Sequence, residues 1–284
     1  MAAWESEECG SSPSSKVTQG TESAYRVADV LVTAFSGPPL GASEISRRLN
    51  LSKTVVHRIL KSLTARELLA FNPSTRKYEP GPASLIIGSR SLNHHGLHLA
   101  ARRPLHDLQN LTGETVTLSA LVGMTRIYID HNPGSREPRA LLDTSSVYPL
   151  YAGSSSKVIL AFADAMLKEH VLTGYRPRIT PGTVTDSLTL SRELQQIASV
   201  GVATSRGERQ RGVASVAGAV FGLDGQVVGA VSVCGPLPRF DEPTILRYRQ
   251  LVSRCAHLVT RALRVGRSGV PIAGLGMFPP GSLR

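Results

Sequence analysis

Residues 50 to 65 carry a pattern that few folds accommodate. Val56, Ile59, Leu60 and Leu63 recur at i, i+3, i+4 and i+7, the spacing of one buried helix face. The other face presents Lys53, Thr54, His57, Arg58 and Lys61. Upstream, Ile45 and Leu49 mark the inward side of a shorter helix opened by Ala42 or Ser43, and Asn50-Leu51-Ser52 forms the turn between the two. Ser52 stands where its hydroxyl can accept an otherwise unpaired backbone N–H, so it is the expected N-cap. Earlier still, Val27, Val30, Leu31 and Ala34 share one face of a helix that begins near Ser23 and stops at Gly37-Pro38-Pro39.

After these three helices, Leu68 to Phe71, the turn Asn72-Pro73-Ser74-Thr75, and Arg76-Lys77-Tyr78 read as a hairpin. Three helices and a basic-tipped hairpin make a winged helix-turn-helix. In such a module the second helix of the pair buries one side and offers the other to the DNA major groove. The charge agrees locally: from Ala42 to Arg66 the basic residues Arg47, Arg48, Lys53, Arg58, Lys61 and Arg66 face the single acid Glu44. The overall net charge of +11 is no guide, because most of the excess lies beyond residue 90. Thr54, His57 and Arg58 are expected at base edges or nearby phosphates. Lys53, Lys61 and the wing residues Arg76 and Lys77 are expected mainly along the double-stranded DNA backbone, and Arg47 is a further DNA-binding candidate. The competing reading is a merely solvated helix face.

The chain's 284 residues suit a small domain joined to a larger one. Residues 1–21, rich in Ser, Glu and Gly, are expected to be a disordered tail, residues 22–82 the winged helix, residues 83–97 a linker helix, and the Gly- and Pro-rich residues 267–284 a second disordered tail. Residues 98–266 hold a helix near 97–111, then the strand pair Thr115–Val122 and Arg126–His131 across Gly123-Met124. A later pair, Ala214–Phe221 and Val227–Val233, turns at Asp224-Gly225. Helical patterns near 157–163, 165–172 and 192–200 intervene, and Pro243–Val265 closes the region. Antiparallel pairs separated by helices imply an α+β sensor domain rather than a Rossmann sheet.

Three blocks in this order resemble the IclR-type transcription regulators, over about Ser23 to Gly266. They are Leu51-Ser52-Lys53-Thr54-Val55-Val56-His57-Arg58-Ile59-Leu60 with Tyr78-Glu79-Pro80-Gly81; Leu150-Tyr151-Ala152-Gly153-Ser154-Ser155-Ser156-Lys157; and Gly201-Val202-Ala203, Glu208, Gly212-Val213-Ala214-Ser215 and Asp224 through Pro236. The resemblance implies a GAF-like C-terminal domain that binds a small-molecule effector, an organic acid or aromatic catabolite. It also implies a homodimer or a dimer of dimers acting on an operator. By motif position the effector pocket would be lined by Ser154, Ser155, Ser205, Val213, Ser215, Ser232 and Cys234. Backbone N–H groups at the helix start Gly153–Ser156 are further candidates to hold a carboxylate. Some relatives place an acid where Ser205 stands, a cysteine where Ser215 stands, and a Gly where Glu67-Leu68 links recognition helix to wing.

Other chemistry is weaker. Ser154-Ser155-Ser156-Lys157 fits the Ser-x-x-Lys pattern of serine acyl-enzymes, but no Lys-Thr-Gly or Ser-Asp-Asn partner motif exists. His94 and His98 share a helix face without a third metal ligand at suitable spacing, and a solvated linker is the plainer account. Glu114 and Glu208 lack local catalytic partners and read as structural or pocket-edge groups. No Walker or Rossmann loop calls for a cofactor. Cys9, Cys234 and Cys255 are odd in number and widely spaced, so neither a disulfide framework nor a zinc site is indicated. The acidic start and the absence of a long apolar run point to the cytoplasm, away from membranes. An effector-independent DNA-binding protein, its second domain serving only assembly, is the remaining alternative.

Overall fold

The computed structural model describes the backbone of residues 19–94, 96–140 and 147–265. Both expected tails therefore fall largely outside the described residues, although the first helix already begins at Gln19, inside the stretch assigned to the N-terminal tail. Two compact units are present, divided at Pro82/Ala83 and, for the turn Ser36–Pro38, grouped with the second.

The first unit holds α1 (Gln19–Phe35), α2 (Ala42–Leu49), α3 (Lys53–Ala65) and the hairpin β1 (Leu69–Asn72) and β2 (Lys77–Pro80). Its core is Val30, Ala34, Leu40, Ile45, Val56, Ile59, Leu60, Leu63 and Leu69. All four residues of the periodic run in α3 are thus buried. Val27 departs from the expectation: it stays exposed, and α1 packs through the Val30–Ala34 edge. Ser46 is buried as well, its hydroxyl donating to the Leu51 carbonyl at 2.6 Å and so fastening the turn between α2 and α3. Asn50 ends α2 in the left-handed conformation, and Ser52 caps α3 by accepting from the Val55 N–H at 3.4 Å. The wing turn is built by the Asn72 carboxamide oxygen, which accepts the N–H groups of Ser74 and Thr75.

The link from α3 to the wing needs a positive φ, which Glu67 supplies at 57°. Glycine adopts that conformation most freely, and here a glutamate holds it. The chain passes so close here that a Cβ on Gly81 would lie 2.2 Å from the Glu67 carbonyl oxygen and 2.9 Å from the Leu69 carbonyl carbon.

The second unit runs through α4 (Pro82–His94), α5 (Gly96–Thr112), β3 (Thr115–Val122), β4 (Thr125–Asn132), β5 (Tyr148–Pro149), α6 (Ser154–Phe162), α7 (Ala165–Thr173), α8 (Ser187–Val200), β6 (Val202–Arg206), β7 (Val213–Phe221), β8 (Val227–Pro236) and α9 (Glu242–Val265). One antiparallel sheet has the order β5-β4-β3-β8-β7-β6. Strand alternation gives it two different faces. Val116, Leu118, Val216, Val231 and Val233 join Leu105 of α5 and Val252 of α9 in one core. Ala203, Ala217, Ala219 and Ala230 face α6 and α8, against Val158, Ile159 and Leu194. The result is a three-layer α/β/α unit, and small residues on the second face let α6 lie close to the sheet.

Because Gly81 abuts backbone, which cannot rotate aside, Gly81→Ala should destabilise the protein by about 1–3 kcal/mol. A lowered urea midpoint for the full chain, accompanied by weaker DNA binding, checks this. An unchanged midpoint would mean that the loop yields.

Candidate functional site

On the first unit, Lys53, Thr54, His57, Arg58 and Lys61 of α3 are all exposed, as are Arg47 at the end of α2 and Arg76 in the wing turn; Lys77 is half-buried. His57, Arg58 and Lys61 line an open groove with Thr64, Ala65, Phe71 and Tyr78, between α3 and the wing. The Phe71 and Tyr78 rings, 5.1 Å apart, form its far wall. Three of the residues expected to touch DNA therefore share one concave surface.

On the second unit the strand register assembles the other site. Ser205 lies opposite Ser215, and Ser215 opposite Cys234, across β6, β7 and β8. Val213 and Ser232 follow on the same face two residues away, and Ser232 meets Thr117 of β3 through hydroxyls 2.7 Å apart. α6 supplies the facing wall: Ser154 donates to the Ser215 hydroxyl at 2.7 Å. Ser154, Ser155, Ser205, Val213, Ser215, Ser232 and Cys234 all line one cleft.

The same cleft holds Arg126, Tyr128, Arg209 and Gln210, none of them among the effector-binding residues that the family's motifs indicated. Arg126 is 1% exposed. Its Nε donates to Ser156 at 2.8 Å, and its two Nη donate to Ser119 at 3.0 Å and to the Tyr128 hydroxyl at 3.3 Å. Burial, the largest influence, holds this guanidinium below its ordinary pKa. Its charge also lies 4.5 Å from the Tyr128 ring centre and 4.8 Å from that of Tyr148, while Arg209 lies 4.7 Å from Tyr148. Such stacking contributes roughly 0.5–2 kcal/mol per contact. One signal was available in the sequence: within β4, Ile127 and Ile129 pack on the α5/α9 core, so alternation sends Arg126 and Tyr128 to the opposite face.

A buried ion pair frames the cleft. Lys157, 3% exposed, donates to Glu208 and, at 3.1 Å, to Glu193 of α8. The second Glu208 oxygen accepts the Gly153 N–H at 3.1 Å. One of the backbone donors expected for an effector carboxylate is thus committed to the protein's own glutamate. The acyl-enzyme alternative fails on the same geometry: Lys157 is held by two carboxylates, and Ser154 donates to Ser215 rather than to a base. Glu114 is likewise engaged, bound through both oxygens by Arg239. As for the histidines, the His94 and His95 side chains fall outside the described residues, and His98 lies 3.3 Å from Asp130. Among the described residues no helix is long and apolar enough to cross a membrane.

Two family models cover this architecture in sequence: the IclR helix-turn-helix domain over residues 34–73 and the bacterial transcriptional regulator IclR C-terminal domain over residues 89–261. The chain belongs to the IclR family. It is a transcriptional regulator with a helix-turn-helix domain and an effector-binding domain, not an enzyme. The glycerol operon regulatory protein of Streptomyces griseus is 32% identical over 230 residues, which is 80% of this chain and 90% of that protein. The fold of this IclR-family regulator matches that of a putative IclR regulator from Silicibacter, with a TM-score of 0.77 at 24% identity over 85% of this chain and 96% of that one. It also matches an IclR homologue complexed with 4-hydroxybenzoate from Microbacterium hydrocarbonoxydans, with a TM-score of 0.68 at 24% identity over 86% of this chain and 100% of that one.

Burial pushes the Cys234 and Cys255 thiols up to about 12, so at pH 8 both are overwhelmingly protonated and poor nucleophiles. A thiol-disulfide reagent at that pH should label neither in the native protein and both after unfolding. Rapid native labelling of Cys234 would show that the cleft is open to reagent.

Proposed function

We propose that this regulator reads an operator through α3 and the wing, with its DNA affinity set by a small effector in the serine-lined cleft of the second unit. The observation that carries the reading is the division of α3, whose apolar face is buried while Lys53, Thr54, His57, Arg58 and Lys61 are exposed beside a basic wing. Thr54, His57 and Arg58 meet bases or adjacent phosphates; Arg47, Lys53, Lys61, Arg76 and Lys77 grip the backbone. The working form is a dimer or dimer of dimers in the cytoplasm, its two-fold symmetry matching a pseudo-palindrome. Leu85, Ile86 and Ile87 of α4 support self-association, for these three consecutive apolar side chains are 74%, 62% and 59% exposed.

The effector takes its contacts from Ser154, Ser155, Ser205, Ser215 and Ser232, with Val213 and Cys234 completing the wall. An organic acid or aromatic catabolite fits a cleft in which hydroxyls, guanidinium groups and tyrosine rings converge, and the 4-hydroxybenzoate bound by the Microbacterium homologue is a molecule of that type. Effector binding shifts the population of dimer arrangements through α4, the segment that follows the winged helix in the chain. Such coupling is reciprocal, so operator DNA changes effector affinity by the factor by which effector changes DNA affinity.

Alanine variants separate reading from gripping. Arg58→Ala should cost about 1–3 kcal/mol on the operator and relax its sequence preference, whereas Lys61→Ala should weaken all DNA alike and lower the salt slope by about 1. Gel-shift titrations over a salt series check both, and parental affinity in both variants would contradict the assignment of α3.

A further inference from the structure

The charges around the serine-lined cleft do not balance. Arg126 and Arg209 are the cations among its lining residues, and none of those residues is an acid. Two buried carboxylates of the same unit, Glu208 and Glu114, are already engaged. Glu208 holds Lys157 and the Gly153 N–H, and Glu114 holds Arg239 through both oxygens. Three neutral hydroxyls, those of Ser119, Ser156 and Tyr128, accept from Arg126, using three of its five N–H donors. Among the described residues neither arginine forms an ion pair with an acid.

The tyrosines fix where these charges sit. The Tyr128 and Tyr148 rings pack edge to face at 5.3 Å, and the Arg209 guanidinium lies 4.7 Å and 5.8 Å from the Tyr148 and Tyr128 centres. Arg126 stacks on the same two rings. A rigid aromatic pair therefore holds two like charges together at one wall, an arrangement that repulsion opposes unless an anion joins them. The hydroxyls of Ser154, Ser155, Ser205, Ser215 and Ser232 line the same cleft. The cleft is also narrow.

Resting on the effector reading above, we infer that the ligand of this cleft is a compact hydroxylated dianion, a dicarboxylate or a phosphate monoester, whose two charges are taken by Arg126 and Arg209. The serine hydroxyls bind its own hydroxyl groups, and the tyrosine pair keeps the guanidinium groups from turning away. A monoanion leaves one arginine uncompensated. An uncharged ligand leaves both.

Calorimetric titration of the full chain with two matched pairs of probes tests this. The pairs are malate against 3-hydroxybutyrate, and dihydroxyacetone phosphate against dihydroxyacetone. The inference requires one dianion to bind at least about tenfold tighter than its less charged counterpart, a margin that Arg209→Gln removes while leaving the counterpart's affinity within about threefold. Arg209 is only half-buried, so this variant should fold even where Arg126→Met does not. Which dianion wins identifies the source of the charge. Failure of both dianions to bind, or equal binding within each pair, overturns the inference. Equal binding that is lost in Ser215→Val overturns the charge assignment and leaves the cleft as the effector site. Binding that no substitution in the cleft alters overturns both.

Discussion

Lys157 carries its charge inside a helix that is otherwise packed against a sheet, and its ion pair with Glu208 is the contact on which the second unit's site depends. Removing one partner of such a pair typically costs about 3–5 kcal/mol because the other is left charged and buried. Here the pair has further geometric consequences. Glu208 belongs to the segment between β6 and β7, so its bond to Lys157 draws that segment onto α6. Its second oxygen fixes the N–H of Gly153, whose φ of 89° starts the helix. Ser154 is thereby brought against Ser215, and the neighbouring Arg209 against the tyrosine pair. The motif that resembles an acyl-enzyme signature is, in this fold, a structural clamp.

The first unit obeys a different economy, in which local pattern decides nearly everything. Four apolar residues bury one face of α3, Ser46 and Ser52 shape the turn before it, and the basic face follows by geometry. The cost is concentrated at Glu67, which holds a left-handed conformation without being glycine, and at Gly81, which must lack a side chain for the strand to return past it. The two positions form one close crossing of the backbone.

This contrast explains what could be read without coordinates. Helical spacing in α3 and the Asp224-Gly225 turn between β7 and β8 are local signals, and both elements lie where those signals put them. The serine wall was legible only through the family's motifs, and the structure does bring all seven named residues to one cleft. What stayed hidden was non-local. Arg126 gains its meaning from Ser119 in the adjacent strand and Ser156 in a helix thirty positions on. Glu208 spends a donor that the motif alone left free, and Val27 shares a helix face with Val30 yet remains outside the core. Single-sequence periodicity does not report which surface a partner element will cover.

The central claim is that the exposed face of α3 reads a defined operator as part of a symmetric assembly. Footprinting of the purified protein on the DNA flanking its own gene, across a salt series, tests it most directly. The account predicts a protected pseudo-palindrome with half-sites on one face of the duplex, and affinity that falls with salt at a logarithmic slope of about 0.9 per neutralised phosphate. Diffuse protection no stronger than on random DNA, persisting through a genome-wide selection of bound fragments, would contradict it.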